Sequence, residues 1–290
     1  VNRLLFGAKN FLDKLVKIIK DPVLFGYYVN SYVVSRFKKV EPDVYIVSYP
    51  KCGKTWIRVT LLKYLELSGG VEDSEIDGFQ IRLPGDKTLK FEHDVGTWVP
   101  SPKSIDRLKI NEAKYRGKKV CFVARDPRDV MVSSFYHLKF REKIYTKELT
   151  EFIRDKFVGI KKVVAFMNLW VGYRDTPDKF YFTTYEELRG NPEKGFYRLL
   201  DFIGIDVDPE VLKSTLKETS FEKMKKMESD KDLQEPWMKP GDKKSDKSMK
   251  IRKGKVGGYK DELSTEDISF LDDVIEKSLS RKLPYGGKRE

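Results

Sequence analysis

The chain has 290 residues, enough for one sizeable buried core, and its 57 Lys and Arg against 45 Asp and Glu give a formal net charge of +12. That balance favours anionic partners without choosing among nucleotide, nucleic acid and membrane surface. Two cysteines argue against a disulfide framework and suit a reducing compartment, the two histidines and two cysteines, one of these in a strand pattern, have no spacing that assembles a zinc cluster, and no apolar run is long enough to cross a membrane.

Residues 1–40 read as an amphipathic arm. Leu4, Leu5, Phe11, Leu12, Leu15, Ile18 and Ile19 share one helical face, with Lys9, Lys14, Lys17 and Lys20 elsewhere. Pro22 ends that helix, and a second apolar segment runs from Val23 to Phe37. Two readings stand side by side: an arm packed on the main domain, or a basic helix resting on an anionic membrane. Lys and Asp interrupt the apolar run, which argues against a secretory signal.

Val44 to Ser48 is β-branched and aromatic, as a buried parallel strand should be. Lys51, Gly53 and Lys54 fill a short loop, then Trp56, Ile57, Leu61, Tyr64 and Leu65 recur at helical spacing until Gly69 offers a C-cap. A strand-loop-helix of this kind aims backbone N–H groups and the positive end of a helix at one point, so it suits an anion, and two lysines make phosphate or sulfate the natural guest. From Ser48 the run S-Y-P-K-C-G-K-T misses the Walker A pattern only at its first glycine. Ser68 to Gly85 reads as a surface connection. Thr88 to His93 then looks like a second strand, with Leu89, Phe91 and His93 on one face and Lys90, Glu92 and Asp94 on the other. His93 falls where open α/β sheets place their ligands.

Lys118 to Ala124 is the clearest buried strand. Asp126 is a good N-cap and Pro127 a good first helical residue, so Arg125 is delivered beside a helix N-terminus, where its planar fork suits a phosphate. Ser133 lies further along that helix, and His137 follows in an aromatic context that reads as structural. Lys147 to Trp170 is mostly helical, Phe180 to Thr183 is a fourth strand ending at Tyr185-Glu186-Glu187-Leu188, and Asn191-Pro192 opens a helix closed by Phe202-Ile203-Gly204. After Thr219-Ser220-Phe221 and Met224 the composition changes: residues 222–250 are dense in charge and poor in apolar anchors, and a mobile surface loop is expected there. It leads into Arg252-Lys253-Gly254-Lys255-Val256-Gly257-Gly258-Tyr259 and a terminal helix from Thr265 to Leu279. Strands alternating with helices predict a single α/β domain over residues 1–290: a central parallel sheet flanked by helices, in a P-loop-like nucleotide-binding fold.

Separated motifs along the chain resemble, in order, those of the cytosolic-type sulfotransferases. Tyr49 to Trp56 is similar to Y-P-K-S-G-T-T-W, departing at Cys52 and Lys54. F-E-H matches the family's K-T-H at His93 only, with Phe91 at the place of its lysine. Arg125, Pro127, Asp129 and Ser133 match R-x-P-x-D-x-x-x-S, Tyr185 to Leu188 resembles Y-E-D-L, and Arg252 to Tyr259 resembles R-K-G-x-x-G-D-W with Gly258 and Tyr259 in the last two places. The resemblance implies transfer of the sulfuryl group of 3′-phosphoadenosine 5′-phosphosulfate (PAPS) to an acceptor hydroxyl or amine, with adenosine 3′,5′-bisphosphate as product and no metal. It implies His93 as general base and Lys51 as the cation beside the transferring group. The donor would be held by Lys51, Cys52, Gly53, Lys54, Thr55 and Trp56, and its 3′-phosphate by Arg125, Ser133, Arg252, Lys253 and Gly254. Tyr185 would serve the adenine side, and Thr219, Ser220, Phe221 and Met224 complete the donor site.

Phe91 removes one expected cation, and Lys54 is expected to supply it. Cys52 at a helix N-terminus invites an acidic thiol, but plain replacement of the family's serine is the preferred account. Two other classes stay open: a P-loop kinase or NTPase using ATP with magnesium, against which the strand ending in Arg125 rather than Asp counts, and a non-catalytic nucleotide- or membrane-binding protein, which has no need of His93. The acceptor is expected to be a small-molecule or lipidic hydroxyl compound and not nucleic acid, in a cytoplasmic setting, with peripheral membrane contact through residues 1–40 as the alternative to packing of that arm on the main domain. The family's dimer motif K-x-x-x-T-V-x-x-x-E is poorly kept at Lys260, Ser264, Thr265 and Ser269, so the oligomeric state stays open.

Overall fold

The computed structural model describes residues 41–70, 75–77, 79–96, 105, 108–230 and 245–286. The arm at residues 1–40 and its membrane reading lie outside the described residues, as does the segment 97–104.

Among the described residues, β1 (Val44–Val47), β2 (Glu75–Asp77), β3 (Gln80–Leu83), β4 (Lys87–Glu92), β5 (Lys119–Ala124) and β6 (Lys179–Thr184) make one sheet in the order β2-β3-β4-β1-β5-β6. The β4-β1-β5-β6 part is parallel, and β2 and β3 extend it antiparallel. Helices cover both faces: α1 (Lys54–Leu67), α2 (Glu112–Tyr115), α3 (Pro127–Tyr136), α4 (Leu149–Arg154), α5 (Ile160–Gly172), α6 (Tyr185–Gly190), α7 (Pro192–Ile203), α8 (Pro209–Glu218), α9 (Phe221–Ser229) and α10 (Thr265–Ser278). Strand alternation sorts the core into two layers. Val44, Ile46, Cys121 and Val123 pack with Ile57 and Leu61 of α1 and Phe196 of α7. Tyr45, Val47, Val120 and Phe122 pack with Met131 of α3, Trp170 of α5 and Leu271 of α10. A sheet buried on both faces has no polar stripe, which is why β1 and β5 read as nearly continuous apolar runs.

Two expectations change. The stretch Ser68 to Gly85, read as a surface connection, contributes β2 and β3; three- and four-residue strands carry too little pattern to announce themselves, although Ile81 and Leu83 are buried and Arg82 between them is exposed. The sheet is therefore mixed at one edge. The charged stretch 222–250 contains most of α9, which Ser220 caps through Lys223 N and whose Met224 and Glu228 are buried. Its lysines occupy the outer faces, so charge density masked a short amphipathic helix.

Register fixes the site's position. Val47 pairs with Glu92 and with Phe122, and Ala124 pairs with Thr184. The chain therefore leaves β1 at Ser48, β4 at His93, β5 at Arg125 and β6 at Tyr185 along one edge of the sheet, the ligand edge of open parallel sheets.

Candidate active site

The loop between β1 and α1 turns through two left-handed residues, Lys51 (φ 74) and Gly53 (φ 90). Gly53 is required twice over. Its φ suits glycine, and a β-carbon there would lie 2.6 Å from Cδ2 of Tyr185. Gly53 caps α1, so the N–H groups of the helix's first turn face the loop without intrahelical partners. Lys54 Nζ donates to the carbonyl of Glu92 at 2.6 Å, tying the loop to the end of β4 one residue before His93. Phe91 is buried in the core on the α1 side, and Lys90 leans on Glu92 at 4.0 Å, so β4 itself brings no cation to this edge and Lys54 stands beside the place where one was expected.

His93 is half-buried, and its Nδ1 lies 3.0 Å from the carbonyl of Ser48. A carbonyl only accepts, so Nδ1 carries the proton and Nε2 keeps the basic lone pair. Burial first, and then the charge of Lys54, holds the ring's pKa well below the ordinary histidine value, with the Ser48 bond opposing in part. Lys51 and Lys54 are each pushed down to about 7, mainly by burial; the charge of Arg141 adds to the effect on Lys51, and Glu228 works against it. Cys52 is buried and its thiol is pushed up to about 12 by desolvation, so the helix N-terminus does not produce an acidic thiol here. His137 Nε2 lies 3.4 Å from Glu142, and burial followed by the Lys51 charge drives its pKa down to about 3.

Arg125 is the hub. Its Nη1 donates to the carbonyl of Lys51 at 3.1 Å, its Nη2 to the carbonyl of Lys255 at 3.2 Å and to Asp129 at 3.4 Å, and its guanidinium lies 4.3 Å above the Tyr185 ring. Its Nε is buried with no hydrogen-bond partner among the described residues, a donor left over in a cradle of backbone and cations. Asp126 caps α3 through Arg128 N with Pro127 first in the helix, as the sequence predicts. Tyr185 in turn donates to the carbonyl of Gly254 at 3.3 Å, and Gly254 (φ 58) would place a β-carbon 2.3 Å from the Phe221 ring.

An apolar wall adjoins these groups. Trp56 Nε1 donates to the carbonyl of Thr219 at 3.1 Å, Trp56 meets Tyr185 edge to face, and Met224 packs beside Val59 and Trp56. Thr60 Oγ1 donates to Thr219 Oγ1 at 3.1 Å, which fixes α1 against the end of α8. Arg252 donates to Glu262 at 2.7 Å and lies 3.9 Å above the Tyr136 ring; Lys253 Nζ is 2.5 Å from Glu262.

Of the residues expected here, Lys51, Gly53, Lys54, Trp56, His93, Arg125, Tyr185, Thr219, Phe221, Met224 and Gly254 are joined directly by these contacts, while Cys52 is buried in the loop between Lys51 and Gly53 and Thr55 sits in the first turn of α1. Arg252 and Lys253 join through Glu262. Ser133 lies one helical turn beyond Asp129 on the same face of α3. Ser220 spends its hydroxyl on capping α9. The sequence did not single out Glu228, Arg141 and Glu262. No motif or spacing marks them, because each earns its place through a partner far along the chain.

A family model described as "Sulfotransferase domain" matches residues 110–282. Cytosolic sulfotransferase 12 of Arabidopsis thaliana is 25% identical over 83% of this chain and 78% of its own length. Sulfotransferase 1C2 of Rattus norvegicus is 25% identical over 92% of this chain and 93% of its own, a span that includes residues ahead of the family match. Among solved structures, mouse sulfotransferase SULT7A1 complexed with PAP superposes with a TM-score of 0.59 at 19% identity, over 87% of this chain and 90% of that one. Retinol dehydratase in complex with androsterone and PAP gives 0.58 at 17% identity, over 91% and 87%.

Proposed function

Because this chain belongs to the sulfotransferase family, as a PAPS-dependent enzyme of the cytosolic type, we propose that it passes the sulfuryl group of that donor, in line, to an acceptor hydroxyl or amine with His93 as the general base. The observation that carries the reading is the single guanidinium of Arg125, which touches the Lys51 loop, the Tyr185 ring and the Lys255 segment at once and so draws three separated motifs to one point.

The donor supplies an already activated sulfuryl group; the protein's part is to hold it and to move a proton. The residues fit such a guest: a loop that only glycine can complete at residue 53, first-turn N–H groups, and an unpartnered buried Nε on Arg125. Lys51 and Lys54 offer cations beside the end of β4, where negative charge develops on the leaving phosphate. Arg125, Ser133, Arg252, Lys253 and Gly254 take the 3′-phosphate, and Tyr185, Trp56, Phe221 and Met224 take the adenine. His93, neutral with its proton fixed on Nδ1, accepts the acceptor's proton at Nε2. Lys54 replaces the cation that Phe91 displaces from β4. A small hydroxyl compound is the acceptor class, in keeping with Flavonol 3-sulfotransferase of Flaveria bidentis, a relative 25% identical over 84% of this chain. The relatives named cytosolic support a cytoplasmic setting.

The test is equilibrium binding. Adenosine 3′,5′-bisphosphate should bind without magnesium and outcompete ATP; preference for ATP with magnesium would overturn the reading in favour of phosphoryl transfer. His93→Asn should keep that binding and lose turnover by at least about a hundredfold. Turnover near wild type in Lys54→Ala would discard its role as the replacement cation.

A further inference from the structure

Two buried carboxylates hold the two ends of the segment that carries Arg252, Lys253 and Gly254. At its far end Asp129, 3% exposed, accepts from Gly257 N and Tyr259 N, both at 2.9 Å, and pairs with Arg125 at 3.4 Å. At its near end Glu228, 1% exposed on the last turn of α9, accepts from Lys250 N at 2.5 Å and Ile251 N at 2.7 Å, and pairs with Arg141 Nη1 at 3.2 Å. Each carboxylate thus takes two backbone N–H groups and one arginine. Asp129 belongs to the motif of α3. Glu228 belongs to no motif and lies in a stretch whose composition announced only charge.

Such an arrangement is selective about what it fixes. A buried carboxylate needs its full set of donors, since any oxygen left unpaired keeps its desolvation cost. Glu228 therefore dictates where the backbone at residues 250 and 251 runs, and the next two side chains along are Arg252 and Lys253. Its third donor, Arg141, comes from the turn that follows α3, the helix of Asp129 and Ser133, so the same carboxylate also aligns that turn with the returning chain.

We propose that Glu228 is a positioning residue for recognition of the donor's 3′-phosphate: by pinning the entry to the Arg252–Gly254 segment opposite the Asp129 tether, it holds Arg252 and Lys253 where that phosphate binds. The proposal rests on the donor reading above. It assigns Glu228 no contact with the nucleotide.

The experiment compares two nucleotides that differ only in the 3′-phosphate. Dissociation constants of adenosine 3′,5′-bisphosphate and adenosine 5′-monophosphate are measured by calorimetry for the wild type, Glu228→Ala and Glu228→Gln. In Glu228→Ala the preference for the bisphosphate should shrink at least about tenfold, nearly all of it from weaker bisphosphate binding, with the monophosphate constant within about twofold of wild type. Glu228→Gln keeps the side chain's size but sets an amide donor against one of the N–H groups it must receive, so its preference should shrink several-fold, and it carries the test alone if the alanine variant does not fold. General destabilisation weakens both nucleotides together and leaves the ratio unchanged; that result overturns the proposal. A wild type with no preference for the bisphosphate would instead overturn the donor reading itself.

Discussion

The ring of Tyr185 rests against the α-carbon of Gly53, so close that a β-carbon would stand 2.6 Å from Cδ2. That contact locks the Tyr49–Trp56 motif to the Tyr185–Leu188 motif, and it fails with any side chain at residue 53. Gly53→Ala combines a left-handed backbone, costing about 1–2 kcal/mol in an L-residue, with a clash that displaces either the loop or the ring. We expect affinity for adenosine 3′,5′-bisphosphate to fall at least about tenfold and the melting temperature to drop by a few degrees, measured by calorimetry and thermal unfolding.

Two histidines are held neutral by burial, His93 well below its ordinary pKa and His137 at about 3. The sign follows from linkage. Below pH 6.5 the unfolded chain takes up protons that the folded chain refuses, so stability falls as pH drops through that value, approaching about 1.4 kcal/mol per pH unit for each histidine. Urea unfolding between pH 6.5 and 5, above most carboxylate titrations, should show this slope, and His137→Gln should roughly halve it. A flat profile in the wild type would contradict the burial argument.

Lys51 and Lys54, each near 7, are largely neutral at pH 8 without an anion. An anion seated beside them favours the charged form and raises both values. Binding of adenosine 3′,5′-bisphosphate at pH 8 should therefore take up protons, approaching two per site, seen as a dependence of binding enthalpy on the buffer's ionisation enthalpy. Lys51→Met should lower the uptake by about one proton. Uptake unchanged in that variant would place the phosphates away from the loop.

Cys52 is buried, and its thiol, pushed up to about 12, is unreactive near neutrality. The folded protein should resist a thiol reagent at pH 8 at residue 52, and Cys52→Ser should retain turnover within about threefold. Rapid labelling of Cys52 by mass spectrometry in the folded protein would contradict this.

Local chemistry made some of the site legible. Gly53 marked the short loop after β1, Asp126 and Pro127 announced a helix start, and Arg125 directly ahead of them had to stand at a strand end. These features depend on neighbours within a few residues, where propensity and capping decide. Short strands escaped notice because three or four residues in β2 and β3 hold too few alternations to outweigh their charged surroundings. α9 escaped because its two buried positions, Met224 and Glu228, stand among lysines that face outward. The acidity once conceivable for Cys52 was a local inference from a helix N-terminus, and burial, a tertiary quantity, reversed it.

The alternation of the parallel strands with helices, the glycine loop after β1 and the resemblance to the family were legible in the sequence alone, since each rests on spacing along the chain. Which residues hold one another was decided only by the tertiary structure: Arg125 reaching Lys255 across 130 residues, Lys54 reaching the end of β4 in place of a strand lysine, and Glu228 and Asp129 gripping the two ends of one loop. A buried charge must find its partners wherever the fold brings them. No rule of sequence spacing records that requirement.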